Sequence, residues 1–267
     1  MKNLAIIGYG ALGKILVSAL TTQLKEQYEI VGILDIALDE NEISINGISI
    51  PVFSSKEELY DSPAEIVVEI AGVGAVKEYA PALLEKGKDV LITSVGALAN
   101  DELLKHLRNL AIKHDRKIHL TSGAIGGFDL YRTLSMMREV QASIESTKAP
   151  KSLNGAPYLE GNLLSESERV CAFEGSAREA ISGFPKNTNV AVATGLATVG
   201  VDEVKATIIS DPNAQGNTHK ISVENEKAKV TVEVTAKPDE KNPKSSITAA
   251  WSVAALLANL ADPIQLF

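Results

Sequence analysis

Leu4-Ala5-Ile6-Ile7-Gly8-Tyr9-Gly10-Ala11-Leu12-Gly13 is an apolar run leading directly into G-x-G-x-x-G. Leu12, Ile15, Leu16, Ala19 and Leu20 continue at helical spacing over about residues 11–25. Strand, glycine turn and helix in that order suit a dinucleotide pyrophosphate. Gly8 permits the tight turn, Gly10 has no Cβ to keep the backbone away from the phosphates, and Gly13 lets the helix pack close to the sheet. Free N–H groups at the helix start, around Ala11 and Leu12, then point at the phosphates. Glu29 to Leu34 reads as a second buried strand ending at Asp35, 22 residues beyond Gly13 (35 − 13). That is close to the spacing of a ribose-binding acid. A carboxylate there repels a 2′-phosphate, and no Arg or Lys occurs between residues 36 and 41 to offset it. The expected cofactor is NAD, with NADP possible.

At 267 residues the chain fits one large domain or two small ones. Hydrophobic residues make up 45%, enough for a core. Aromatics at 4% argue against base stacking, and a net charge of −8 argues against DNA or an anionic membrane. The single cysteine, Cys171, cannot form an internal disulfide, and no Cys/His spacing resembles a metal site. Cys171 is expected to be a small buried apolar residue rather than a nucleophile. The start has no signal-peptide pattern, and no apolar run approaches the roughly 18 residues that span a bilayer. A soluble cytoplasmic protein is the expectation.

Strand and helix alternate over the first 120 residues, which predicts a parallel sheet covered on both faces. Expected elements are a hairpin turning at Asn46-Gly47, a serine-capped helix at 54–60, strands at 65–70, 89–93 and 117–120, a helix at 77–86 stopped by Gly87, and a helix capped by Asn100. The pattern changes at Ser122-Gly123-Ala124-Ile125-Gly126-Gly127. Beyond it, strands are expected at 141–148 and 201–210, with an antiparallel pair at 218–223 and 229–236. The fold class is α/β: a Rossmann-type dinucleotide-binding domain over 1–122, then an α+β domain with an open mixed β-sheet over 123–244. A helix of about 245–267 is expected to pack back on the first domain.

Dehydrogenases of this plan bind substrate between domains, with catalytic groups from the second. His106 and His114 alternate with Lys and Arg and read as a solvated face. His219 stands where a turn enters a strand, a position suited to proton exchange. Ser122–Gly127 is either a backbone approach to the cofactor or a hinge. Asn187 and Asn189, before an Ala-rich helix at 190–199, are either caps or donor–acceptor partners for a carboxamide.

Taken together, Gly8–Gly13, SGAIGGFD (122–129), TKAP (147–150), GSAREA (175–180), FPKNTNV (184–190), NTH (217–219) and NPKSS (242–246) resemble the L-aspartate dehydrogenase family along the whole chain. The resemblance implies that His219 is the active-site histidine and that Ala124 and Asn189 bind cofactor. It implies oxidation of L-aspartate to iminoaspartate, which hydrolyses to oxaloacetate and ammonia or feeds pyridine nucleotide biosynthesis. It also implies a homodimer formed through the catalytic domain. Two substrate carboxylates need cations or donors, and Lys148, Lys151, Lys244 and Ser246 are the candidates, each equally readable as a solvated loop residue. Rival readings are a related dehydrogenase of homoserine or dihydrodipicolinate type and a non-catalytic dinucleotide sensor.

Overall fold

The computed structural model describes residues 1–237 and 247–265. Lys244, Ser246 and the NPKSS segment lie outside the described residues. The chain divides into two compact units, residues 1–121 with the chain from Ala249 onward, and Ser122–Thr248.

The first unit runs β1 (Lys2–Ile7), α1 (Ala11–Thr22), β2 (Tyr28–Leu34), β3 (Glu42–Ile45), β4 (Ile48–Pro51), α2 (Lys56–Asp61), β5 (Ile66–Glu69), α3 (Val73–Glu85), β6 (Asp89–Ile92), a 3-10 turn (Val95–Ala99), α4 (Asp101–Lys113) and β7 (Ile118–Leu120). Its sheet has the order β2-β1-β5-β6-β7, with every pairing parallel. From β1 the chain moves to β2 on one side and then to β5 on the other. The carboxyl ends of β1 and β5 are therefore the switch point at which such sheets open a crevice. Local chemistry sets the ends of the elements. Asn46 and Gly47 have φ 53 and 78, as a two-residue β3–β4 hairpin needs. Ser55 accepts from Glu58 N at 3.3 Å, and Asn100 Oδ1 from Leu103 N at 2.8 Å, capping α2 and α4. The α3 helix begins at Val73, earlier than the pattern from Lys77 predicts, because the chain leaves β5 through Gly72 at φ 143.

Leu4 and Ile6 point to one face of the sheet, where they pack with Leu16 and Leu20 of α1 and with Val253, Ala254 and Leu257 of the C-terminal helix (Ile247–Ala261). The Tyr28 hydroxyl donates to the Leu257 carbonyl at 2.8 Å. Burial of large side chains of this kind is worth about 1.5–3 kcal/mol each.

The second unit contains α5 (Phe128–Met137), β8 (Gln141–Lys148), α6 (Pro150–Leu153), β9 (Val170–Ser176), α7 (Ala177–Gly183), α8 (Asn189–Ala197), β10 (Lys205–Ser210), β11 (Asn217–Glu224) and β12 (Lys229–Ala236). These strands form a mixed sheet of order β12-β11-β8-β10-β9, in which only β8 and β10 pair in parallel. Along β8, Ala142, Ile144, Ser146 and Lys148 are buried, and the alternate residues are exposed or half-buried. The buried face is packed by α5, α7 and α8. The other face carries Ser, Thr and charged side chains.

Three expectations need correction. Residues 201–204 are not strand: the Val201 and Val204 carbonyls accept from Arg178 N and Ala177 N at 3.1 Å, so they cap α7 instead of pairing in the sheet. Strand β9 and helix α7 were not anticipated as elements, although Ser176 and Glu179 form a complete capping box. Cys171 is exposed rather than buried. A register shift leaves Phe173 opposite Ile208 but turns Cys171 to Ile209, on the uncovered face.

Candidate active site

In the first unit a crevice of about 490 Å³ opens at the carboxyl ends of the strands, with Gly8, Gly10, Asp35, Ala71, Gly72 and Glu78 in its walls. Gly8 has φ +105, and a Cβ there would lie 2.9 Å from Ala71 Cα. A Cβ on Gly13 would lie 2.3 Å from the Gly8 carbonyl oxygen, so the start of α1 is drawn tightly against the turn. Gly10 faces open space. Ala11 and Leu12 open α1, whose first turn has no acidic residue and no side-chain cap. Its N–H groups are left for an anion. Asp35 lies just past β2. Its Oδ2 accepts from Tyr9 N at 2.5 Å and its Oδ1 from Ala37 N at 2.8 Å. These bonds pin the glycine turn to the end of β2 and leave lone pairs for further donors. Among the described residues, no Lys or Arg lines the crevice. The arrangement fits a dinucleotide.

Sequence reasoning missed a buried acid behind this wall. Glu69, 1% exposed, ends β5. Its carboxyl accepts from Ala71 N (2.9 Å), Gly72 N (2.8 Å), Ser94 N (3.0 Å) and Ser94 Oγ (2.9 Å). Burial pushes its pKa up, against the pull of these donors. The carboxylate ties the loops after β5 and β6 together.

In the second unit, strand register assembles a polar cluster on the buried face. His219 of β11 lies directly opposite Ser146 of β8, and Ser146 Oγ is 2.8 Å from His219 Nδ1. The sequence suggests a loop end for His219, but the residue sits inside the strand and is 3% exposed. Lys148, two residues along β8 on the same face, is 7% exposed. Burial pushes its ammonium down to about 8. Burial, with Lys148 adding to it, pushes His219 down to about 3, so the ring is neutral at neutral pH. The partner of Lys148 on β10 is Ser210. Ser146 was readable in principle, since alternation along 141–148 puts it on the inward face with Ile144 and Lys148. Ser210 was not, because only strand pairing gives it its place.

The other candidates are distributed around this face. Ala124 lies in the turn leading to α5, closed by Ile125 N donating to the Ser122 carbonyl at 3.2 Å. Asn189 is the first residue of α8. Neither Asn187 nor Asn189 is the cap, because Thr188 holds that position. Lys151 is exposed and lines a hollow of about 270 Å³ with Glu166 and Asn217. Of the other histidines, His106 is exposed and His114 half-buried. Among the described residues no group of His, Cys, Asp and Glu could hold a metal ion, and no helix is long and apolar enough to cross a membrane.

The first unit thus offers a parallel sheet with a glycine-turn crevice suited to a dinucleotide, and the second a buried His–Ser pair. Residues 8–121 match the family described as homoserine dehydrogenase, NAD binding domain, and residues 129–260 that described as aspartate dehydrogenase, C-terminal. The L-aspartate dehydrogenase of Methanococcus maripaludis is 35% identical over 100% of this chain and 99% of its own. That of Acinetobacter baumannii is 35% identical over 100% of both. The crystal structure of aspartate dehydrogenase from Thermotoga maritima superposes with a TM-score of 0.78, 27% identity and complete coverage of both chains. A homoserine dehydrogenase from Thiobacillus denitrificans shares the fold (TM-score 0.60, 13% identity, 97% of this chain and 73% of that one). The chain belongs to the L-aspartate dehydrogenase family.

Proposed function

We propose that this protein oxidises L-aspartate to iminoaspartate with NAD, or NADP, and that iminoaspartate then hydrolyses to oxaloacetate and ammonia. The observation that carries the reading is the end-to-end likeness to L-aspartate dehydrogenases at 35% identity. Gly8, Gly10, Ala11, Leu12 and Gly13 hold the pyrophosphate, Asp35 the adenosine ribose, and Ala124 and Asn189 the nicotinamide end. The cofactor, when bound, supplies the hydride acceptor. His219 is the acid–base residue. For Nε2 to accept a proton from the substrate ammonium, Nδ1 must carry the ring hydrogen and donate it to Ser146 Oγ, 2.8 Å away. Ser146 thereby orients the ring and selects its tautomer. Lys148 and Lys151 are the described cations available to the two substrate carboxylates.

The cofactor preference follows from the first crevice, where Asp35 and Glu78 add negative charge and no cation among the described lining residues offsets it. The reading extends to a cytoplasmic location and to a homodimer; the family resemblance supports the homodimer, and sedimentation velocity would test it. Activity is tested by following the absorbance of reduced cofactor, with NAD and NADP separately, against L-aspartate, D-aspartate, glutamate and homoserine. Reduction should depend on L-aspartate; reduction driven by homoserine instead would overturn the assignment.

A further inference from the structure

The buried face of the second unit carries a cation that no described residue neutralises. The Lys148 ammonium makes no ion pair or hydrogen bond among the described residues, and burial is the one cause of its lowered pKa. Its neighbour on β10, Ser210, is fully buried, and its hydroxyl has no hydrogen-bond partner among the described residues. An unpaired ammonium and an unsatisfied hydroxyl side by side are costly as packing and would be replaced by apolar side chains if packing were their purpose. Together they offer a charge and a donor, the set a carboxylate requires.

The row of Lys148 and Ser210 lies next to the row of Ser146 and His219 on the same face. Among the described residues, no acid faces the imidazole from the elements packed around it. On β8 its neighbours are Ser146 and Lys148, and on β12 Val234. Helix α8 contains no titratable residue. Helix α5 presents Tyr131, buried and held neutral by a pKa pushed up to about 12, while Asp129 and Arg132 are exposed. Lys148 is therefore the charge that His219 meets.

We propose that Lys148 and Ser210 form a carboxylate-anchoring site, and that a carboxylate of aspartate seated there enables His219 to take up a proton. With the site empty, a second positive charge on the imidazole opposes the ammonium across a largely buried sheet face. With a carboxylate in place the ammonium is cancelled, and the proton leaving the substrate amine passes to Nε2. The cluster then holds Lys⁺, carboxylate⁻ and His⁺. Substrate thus switches on its own base, and an amine lacking a suitably placed carboxylate does not. This rests on the aspartate reading and adds how the site selects acids.

The test is calorimetric titration of the NAD-saturated protein with succinate, which has both carboxylates and no amine to oxidise. Two buffers of different ionisation enthalpy at pH 6.5 count protons. The wild-type protein should bind succinate with proton uptake. Lys148→Met should weaken binding at least ~10-fold and Ser210→Ala several-fold, the range for losing a charged or neutral hydrogen bond. His219→Asn should bind succinate without proton uptake. Unchanged fluorescence titration by NADH in each variant shows that it is folded. Succinate binding without proton uptake by the wild type, no binding, or wild-type affinity in Lys148→Met would each overturn the proposal. Failure of the aspartate reading is separate: succinate would bind with proton uptake, yet L-aspartate would not reduce the cofactor.

Discussion

His219 and Lys148 each make stability depend on pH, in windows that do not overlap. His219 is held near 3 in the folded chain against an ordinary 6.5. Between those values the unfolded chain binds a proton that the folded chain refuses, so stability falls as the pH drops from 6.5 towards 3, with a slope of up to about 1.4 kcal/mol per pH unit. Urea unfolding of His219→Asn at pH 7 and pH 4.5 should show a smaller difference than the wild type. Lys148 is held near 8 against 10.5. The unfolded chain again binds more protons in that interval, so wild-type stability rises from pH 8 to 10.5, a rise that Lys148→Met should lack. At the cofactor end, Asp35→Ser removes the charge that repels a 2′-phosphate. The kcat/KM ratio for NADP over NAD should then rise roughly 10-fold, about 1.4 kcal/mol of relieved repulsion. The sequence exposes these residues unevenly. Asp35 announces itself by its distance from a local motif, and His219 by its chemistry within NTH. Ser210 depends on strand pairing to a residue 62 positions earlier (210 − 148), which no local pattern encodes.

Among the elements, the loops after β5 and β6 depend on a single side chain. Glu69→Ala would leave three backbone N–H groups and the Ser94 hydroxyl without their acceptor. A loss of about 1–3 kcal/mol for the buried donors is expected in urea unfolding, with weaker NADH binding because Ala71 and Gly72 line the crevice. Glu69→Gln keeps the shape but one of its two oxygens becomes an NH₂ group, and it should fall between. The strands and helices of the first unit are legible because each carries its own signal: apolar runs for strands buried on both faces, 3.6-residue stripes for helices, and caps at their ends. In the second unit β9 eluded that reading. Val170–Ser176 has a bulge that breaks its alternation, and the strand is defined by pairing to β10 rather than by its own pattern. Residues 201–204 mislead in the opposite direction, since their apolar valines serve a helix cap.

At the scale of the whole molecule, the first unit is built from two separate stretches of chain. Leu257 is fully buried among Leu16, Leu20 and Tyr28 in the core of that unit. Leu257→Ala should cost about 2–5 kcal/mol, read as a fall in the urea midpoint of the first unit, because the cavity it leaves is lined by a rigid sheet and helix. Apolar positions in the C-terminal helix announce burial but not their partners, which lie more than 200 residues away in the chain, as the bond from Tyr28 to Leu257 shows. That bond also sets a timetable. A chain emerging from the ribosome can complete the second unit while the first still lacks part of one face of its core. The domain begun first is finished last, and until Leu257 is free of the exit tunnel part of its apolar sheet face stays uncovered, the stage at which such a chain is most prone to aggregate.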